Sequence, residues 1–341
     1  MKTKHRAPVA LFLSILLVGA LTIPIAVGSA DVSAPILDGG WTRAFEAEYT
    51  EKLPFRDVAL AVVASIRYGL FREGRRGVLV GDAGWLFTTE EYRGATVEQA
   101  DAETVETAYR ELLSRGIPVV VVLVPAKARI YAEYAPSPLP PAADRRYAAF
   151  AAELRARGVP VTDLVDAFLG AKVNGELFHR TDTHWTALGT KVAAEVVARV
   201  VDSHFPDLAL PSASFAEESI ESTQFEGDLV SFLGLGALSS RLGPPPEEVT
   251  AEATLQANTD SVGLFGAVSI PIALVGTSYS ADPRWGFEAA LKRALGADVL
   301  SVAEEAGGPF DPMRRYLEGE TIADVPPELV IWEIPERYVS N

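Results

Sequence analysis

A serine hydroxyl becomes a nucleophile when a histidine takes its proton and a carboxylate holds that histidine, and this chain offers the three groups in a usable arrangement. Ser278 stands in Gly276-Thr277-Ser278-Tyr279-Ser280, directly after the apolar run Ile270 to Val275. A strand that ends in Gly-x-Ser before a helix holds the hydroxyl at a tight turn, where N–H groups of the helix start can steady an oxyanion. A helix-capping serine explains the same local pattern, so the supply of bases decides. The chain has four histidines, and His5 lies in a targeting segment, which leaves His179, His184 and His204. His184 follows Asp182 by two residues in Thr181-Asp182-Thr183-His184-Trp185-Thr186. In an extended segment such residues point the same way, so Asp182 can accept from one ring nitrogen and leave the other for a serine. His179 has Arg180 beside it and no flanking carboxylate, and His204 precedes Phe205-Pro206 at a helix end, where a cap or dipole role suffices. A metal site from Asp182, His184 and His179 lacks a third well-spaced ligand, so no metal and no cofactor is expected.

The elements that must position these residues alternate between strand and helix. The runs Gly116 to Val124 (GIPVVVVLV) and Ile270 to Val275 (IPIALV) do not alternate with polar residues and read as fully buried parallel strands. Helical patterns are predicted over Thr96 to Arg115, Ala142 to Arg157 and Thr186 to Val201, then a helix near Phe287 to Leu295, with further strands near Asp298 to Val302 and Leu329 to Ile334. The class is therefore α/β with helices on both faces of a mainly parallel sheet. Ligands of such folds sit beyond the carboxyl ends of strands, which points to Pro125 to Tyr131 (PAKARIY) and to Gly276 to Ser280. Pro244, Pro245 and Pro246 mark Leu242 to Val249 as an irregular loop.

The N-terminus carries Lys2, Lys4, His5 and Arg6 and then runs uncharged from Ala7 to Val27, long enough to span a bilayer. Residues 1–30 are a signal anchor or, with cleavage at the small residues Gly28, Ser29 and Ala30, a signal peptide; the uncleaved anchor is the favoured reading. The positive-inside rule puts residues 31–341 outside the cytoplasmic membrane, in the periplasm or on the outer face of the cell membrane. The 341-residue chain has no cysteine, which excludes a disulfide scaffold, a thiolate nucleophile and a zinc-thiolate site. Its net charge is −16, and without the basic head the exported part stands at −19, so nucleic acid is a poor partner. A polyanionic polysaccharide would need a local basic groove, for which Arg72, Arg75, Arg76, Lys127 and Arg129 are candidates.

Eight stretches in order carry a family resemblance: Leu53-Pro54-Phe55-Arg56-Asp57, Gly84-Trp85-Leu86-Phe87, Val124-Pro125-Ala126-Lys127, Asp182-Thr183-His184-Trp185-Thr186, Gly227-Asp228-Leu229, Gly276-Thr277-Ser278-Tyr279-Ser280, Gly308-Pro309-Phe310-Asp311-Pro312-Met313 and Ile331-Trp332-Glu333-Ile334-Pro335-Glu336-Arg337-Tyr338. In these the chain resembles the alginate O-acetyltransferase family, whose domain is SGNH-hydrolase-like. The resemblance implies a three-layer α/β domain over residues 31–341 and a triad of Ser278, His184 and Asp182, the residues already singled out. The chain stops three residues after Tyr338, without the C-terminal carbohydrate-binding module of AlgX-type members, and so looks more like the membrane-anchored AlgJ type.

The activity so implied is transfer of acetyl groups to hydroxyls of an exported polysaccharide through an acetyl-serine. The resemblance also implies a membrane-bound O-acyltransferase partner that supplies acetyl groups, since acetyl-coenzyme A is cytoplasmic. Lys127, Arg129, Trp185, Tyr279 and Tyr338 could stack on or hydrogen-bond to sugar rings. Packing competes as the role of Trp185, and a core or sheet-edge place as that of Tyr338. Two other classes stay open: an extracytoplasmic carbohydrate acetyl esterase, which passes the same acetyl group to water, and a non-catalytic subunit of a polysaccharide secretion complex.

Overall fold

A run of β-branched residues with no polar alternation can sit only in a strand covered on both faces, and Val119–Val124 does so, every residue buried. In the computed structural model, residues 39–53, 56–94, 102–219, 222–250, 252–256 and 270–339 are described, with a few helical positions between 14 and 24. The strands among them are β1 (Val78–Val80), β2 (Leu86–Thr88), β3 (Val119–Val124), β4 (Phe215–Ser219), β5 (Thr223–Phe225), β6 (Glu247–Val249), β7 (Glu252–Gln256), β8 (Ile272–Val275), β9 (Val299–Ser301) and β10 (Leu329–Pro335). Four of them make a parallel sheet in the order β3-β10-β8-β9, so the last strand lies in the middle. Val330 pairs with Val119 on one side, and Leu329 with Ile272 on the other. Three antiparallel pairs, β1-β2, β4-β7 and β5-β6, stand outside this sheet.

The two-residue period of the strands sorts their side chains into two cores. Val120, Val122, Val124, Ile272, Leu274, Leu329 and Ile331 pack with Leu164, Phe168, Ala193, Val197, Phe287 and Leu291 from helices Leu164–Ala171, Ala187–His204 and Phe287–Leu295. Val119, Val121, Leu123, Ala273, Val275, Val330, Trp332 and Ile334 face Val105, Leu112, Phe150, Leu154, Met313 and Tyr316 from helices Ala102–Ser114, Pro141–Ala156 and Phe310–Glu318. Each fully buried aliphatic side chain contributes about 1.5–3 kcal/mol, so both layers are held chiefly by apolar burial. The result is the expected α/β arrangement with helices on both faces of a parallel sheet.

The expected strands and helices form within a few residues of their sequence bounds. Helix Ala102–Ser114 starts later than Thr96, and residues 95–101 lie outside the described ones. The proline stretch needs a correction. Pro244 to Pro246 are irregular, but Glu247–Val249 directly after them is strand β6 and pairs with β5, because a proline removes only its own N–H. The uncharged run 7–27 falls mostly outside the described residues, and no helix among those described is long and apolar enough to cross a membrane.

The chain divides into two compact units, residues 1–71 with 234–243, and residues 72–233 with 244–341. The first holds helices Gly40–Lys52 and Arg56–Ile66, and Trp41, Phe45 and Tyr49 stack along the former at 5.4 and 5.6 Å between ring centroids. The second holds every strand among the described residues and all of the residues singled out for chemistry.

Candidate active site

Strand β8 ends at Val275, and the chain turns at Gly276-Thr277 into the short helix Ser278–Ala281. Gly276 is required by what lies against it: a Cβ there would stand 2.5 Å from Glu333 Oε2 and 2.9 Å from Glu333 Cβ. Glu333 comes from β10 and is fully buried. Its carboxylate accepts from Thr277 N–H (2.7 Å), Thr277 Oγ1 (3.0 Å) and Ser280 Oγ (3.2 Å), so strand β10 pins the turn that carries Ser278. Burial pushes the Glu333 carboxyl above the usual range, and the Thr277 and Ser280 hydrogen bonds oppose the rise. Thr277 Oγ1 accepts from Tyr279 N–H (3.3 Å) and caps the helix. Ser278 is half-buried, and its Oγ lies 2.8 Å from His184 Nε2.

The histidine and its carboxylate sit on the segment between Phe178 and Trp185, which are paired across an antiparallel bridge. Asp182 Oδ1 accepts both from the His184 backbone N–H (2.9 Å) and from Nδ1 (2.6 Å), so one oxygen fixes backbone and ring together. With Nδ1–H donated to Asp182, Nε2 is left to accept the Ser278 proton. The other oxygen, Oδ2, accepts from Asp228 N–H at 2.8 Å. Asp228 returns the contact: its carboxylate accepts from Thr183 N–H (2.9 Å) and Thr183 Oγ1 (2.6 Å). Gly227 allows this approach, since a Cβ there would lie 2.3 Å from the Thr181 carbonyl oxygen. Burial would raise the Asp182 carboxyl, but the His184 side-chain bond and charge and the N–H groups of Asp228 and His184 hold it well below the usual carboxylate range. Asp228 moves the other way, raised by burial and by the neighbouring Asp182 charge.

Lys127, expected at a sugar-binding wall, is instead inside, 1% exposed. Its ammonium donates to the carbonyl oxygens of His179 (3.0 Å), Arg180 (3.3 Å) and Asp182 (2.7 Å), and so ties down the strip that carries Asp182 and His184. Burial lowers its pKa, against the charges of Glu91, Asp228, Asp182 and Glu247. Arg129 is held by Glu336 (Nη2 to Oε1, 2.6 Å) and Asp144 (3.2 Å). Trp185 is fully buried, donates Nε1–H to the Tyr279 carbonyl (3.0 Å) and packs on Phe287, which is the packing role. The Tyr279 hydroxyl donates to Thr183 O (2.6 Å) and accepts from Arg337 Nη1 (3.0 Å), with the residue 2% exposed. Lys127, Trp185 and Tyr279 thus support the site from behind, because their polar atoms are spent on backbone groups. Tyr338 is half-buried, with the Arg337 guanidinium 4.9 Å from its ring centre. Arg72, from the expected basic groove, pairs with Asp82 at 2.6 Å.

Trp285, which sequence reading passed over, stacks on the His184 ring at 4.8 Å and 13°. His179 is buried too, and the carboxylate it lacks in sequence arrives from strand β6, where Glu247 Oε2 lies 3.3 Å from Nδ1. His204 lies exposed at the end of its helix with Nδ1 3.1 Å from the Val200 carbonyl, as a cap role requires. Asp182, His184 and Asp228 can bring one ligand atom each within 4.8 Å of one another. The carboxylate oxygens and ring nitrogens concerned are already used in the hydrogen bonds above, so the cluster is chemically complete as an acid–base chain. Such a chain can activate Ser278 Oγ for attack on an ester or thioester carbonyl.

Residues 78–336 match the family model described as "SGNH hydrolase-like domain, acetyltransferase AlgX". The chain is 41% identical over 325 residues to the probable alginate O-acetylase AlgJ of Pseudomonas aeruginosa, covering 91% of this chain and 83% of that protein. Its structure is similar to the O-acetyltransferase domain of Pseudomonas putida AlgJ, with a TM-score of 0.68 and 36% identity over 77% of this chain and 92% of that one. It is also similar to Pseudomonas aeruginosa AlgX, with a TM-score of 0.62 and 25% identity over 76% of this chain and 62% of that one.

Proposed function

The chain belongs to the family of SGNH hydrolase-like acetyltransferase domains of the AlgX type, and from that membership we propose that its O-acetyltransferase activity runs through Ser278, His184 and Asp182. The observation that carries the residue assignment is the unbroken chain Ser278 Oγ to His184 Nε2 (2.8 Å) and His184 Nδ1 to Asp182 Oδ1 (2.6 Å). In the first half-reaction His184 takes the Ser278 proton as Oγ bonds to the acetyl carbonyl carbon, then returns it to the leaving group of the donor. In the second, a sugar hydroxyl gives its proton to His184 and attacks the acetyl-serine carbonyl; as the bond to Oγ breaks, His184 returns that proton to Ser278, which frees the serine and leaves the new sugar ester. Asp182 stays ionised throughout, orients the imidazole and stabilises its cation.

The relatives named alginate O-acetylase support an exported polysaccharide, alginate first, as acceptor. The basic head and uncharged run of residues 1–30 support a place outside the cytoplasmic membrane with an uncleaved anchor. Acetyl-coenzyme A is out of reach there, and the family resemblance supports a membrane-bound O-acyltransferase as the source of acetyl groups. Transfer outruns hydrolysis only where the acceptor is held in line, because positioning reaches effective molarities of roughly 10⁵ M or more.

The test is turnover of an activated acetyl ester in the presence of oligosaccharides. Ser278→Ala and His184→Ala are expected to lose several orders of magnitude with the fold kept, Asp182→Asn somewhat less, and His204→Ala little. Full activity in Ser278→Ala would sink the serine mechanism, and acetate as the sole product with every sugar would favour an esterase.

A further inference from the structure

The acidic surroundings of the triad pose a problem for an anionic acceptor. Asp182, Asp228, Glu247 and Asp282 lie on the segments that form the site, in a chain of net charge −16. The cations expected to offset them, Lys127 and Arg129, are turned inward onto carbonyls and onto Glu336. Arg337 is also tucked in, between Tyr279, Tyr338 and Glu90. One exposed guanidinium remains on the loop that follows the nucleophile helix, Arg284, with 51% of its side chain exposed.

Arg284 is held in place. Its Nε donates to both carboxylate oxygens of Asp282 (3.1 and 2.8 Å), Nη2 is also bonded to Asp282, and the Asp282 backbone starts the turn that carries it. The guanidinium carbon lies 4.9 Å from the centre of the Trp285 ring, which in turn stacks 4.8 Å from the His184 ring. The Asp282 hydrogen bond and the charges of Asp282 and Asp182 hold the guanidinium firmly protonated, against partial burial. Nε and one side of Nη2 are spent on Asp282, while among the described residues Nη1 has no hydrogen-bond partner. A guanidinium has five donors, and the unused outer pair matches the two oxygens of a second carboxylate.

Building on the transferase reading above, we propose that Arg284 recognises the carboxylate of a uronic-acid residue in the acceptor chain, and so gives the site its preference for a polyuronate over a neutral glycan. Asp282 preorganises the guanidinium, and Trp285 sets its distance from the catalytic imidazole. A lysine would not serve equally, because the planar fork is what engages Asp282 and the sugar carboxylate together.

The experiment compares kcat/KM for acetyl transfer to a mannuronate oligosaccharide and to its carboxyl methyl ester, each with the same activated acetyl ester as donor. The wild-type enzyme is expected to prefer the ionised acceptor by about tenfold or more, as a charge-assisted bidentate contact allows, and Arg284→Gln to bring that ratio close to one. Arg314→Gln removes a similarly exposed arginine from helix Phe310–Glu318 and is expected to keep the wild-type ratio. A ratio in Arg284→Gln equal to that of wild type overturns this assignment while the transferase reading stands. No acetylated sugar from wild type with either acceptor overturns the transferase reading itself.

Discussion

Lys127 donates from its buried ammonium to the carbonyl oxygen of Asp182, 2.7 Å away. A lysine desolvated to this degree is stable only because three carbonyls receive it and four carboxylates surround it. Lys127→Met leaves those carbonyls unpaired and the acidic groups uncompensated. The expected cost is about 3–5 kcal/mol, in line with removal of one partner from a buried charged network. Denaturant unfolding of the purified protein checks it, and a midpoint unchanged from wild type would remove the support role.

Gly276→Ala is expected to damage activity far more than stability. The new methyl would collide with Glu333, whose carboxylate holds Thr277 and Ser280, so the turn must shift and carry Ser278 with it. A displacement of about 1 Å at a reacting group costs on the order of 10²-fold. The readout is the rate of Ser278 labelling by a fluorophosphonate probe. Labelling at the wild-type rate would show that the turn tolerates a side chain.

Glu247 makes stability depend on pH in a defined window. Burial raises its carboxyl, but hydrogen bonds from His179 and Thr181 outweigh that and lower it from the ordinary 4.5 to about 2. A carboxyl depressed on folding adds stability that is fully present above its unfolded value and is lost as pH falls toward the folded one. Between pH 4.5 and about 2 the wild-type protein is therefore expected to lose roughly 2–3 kcal/mol more than Glu247→Gln. Unfolding curves of both proteins across that range decide it; parallel losses would mean that Glu247 is not depressed.

The parts of this site that could be read in sequence are those in which neighbours in the chain are neighbours in space. Asp182 and His184 two apart, Ser278 after an apolar strand, and the buried strands themselves are of this kind. What could not be read depends on long-range closure. Glu247 reaches His179 across 68 residues, and Asp228 clasps Thr183 across 45. Neither distance leaves a local trace, although Asp228 stands in a quoted family stretch. Glu333 did leave one: a lone carboxylate in the otherwise apolar strand Leu329–Pro335 has to find hydrogen-bond donors, and Thr277 and Ser280 supply them. That Lys127, Trp185 and Tyr279 face inward is likewise not legible, because residue type alone does not say which way a side chain points.

The most direct test of the central claim is to find where the acetyl group rests between donor and acceptor. The purified protein is mixed with an activated acetyl ester, quenched within a turnover and mapped by peptide mass spectrometry, with and without a chase of mannuronate oligosaccharide. The account requires acetyl on Ser278 before the chase, its loss during the chase, matching gain on the sugar, and no label on the same peptide in Ser278→Ala. Acetylated sugar formed at the wild-type rate by Ser278→Ala, or acetyl carried on another residue while Ser278 stays free, would contradict it.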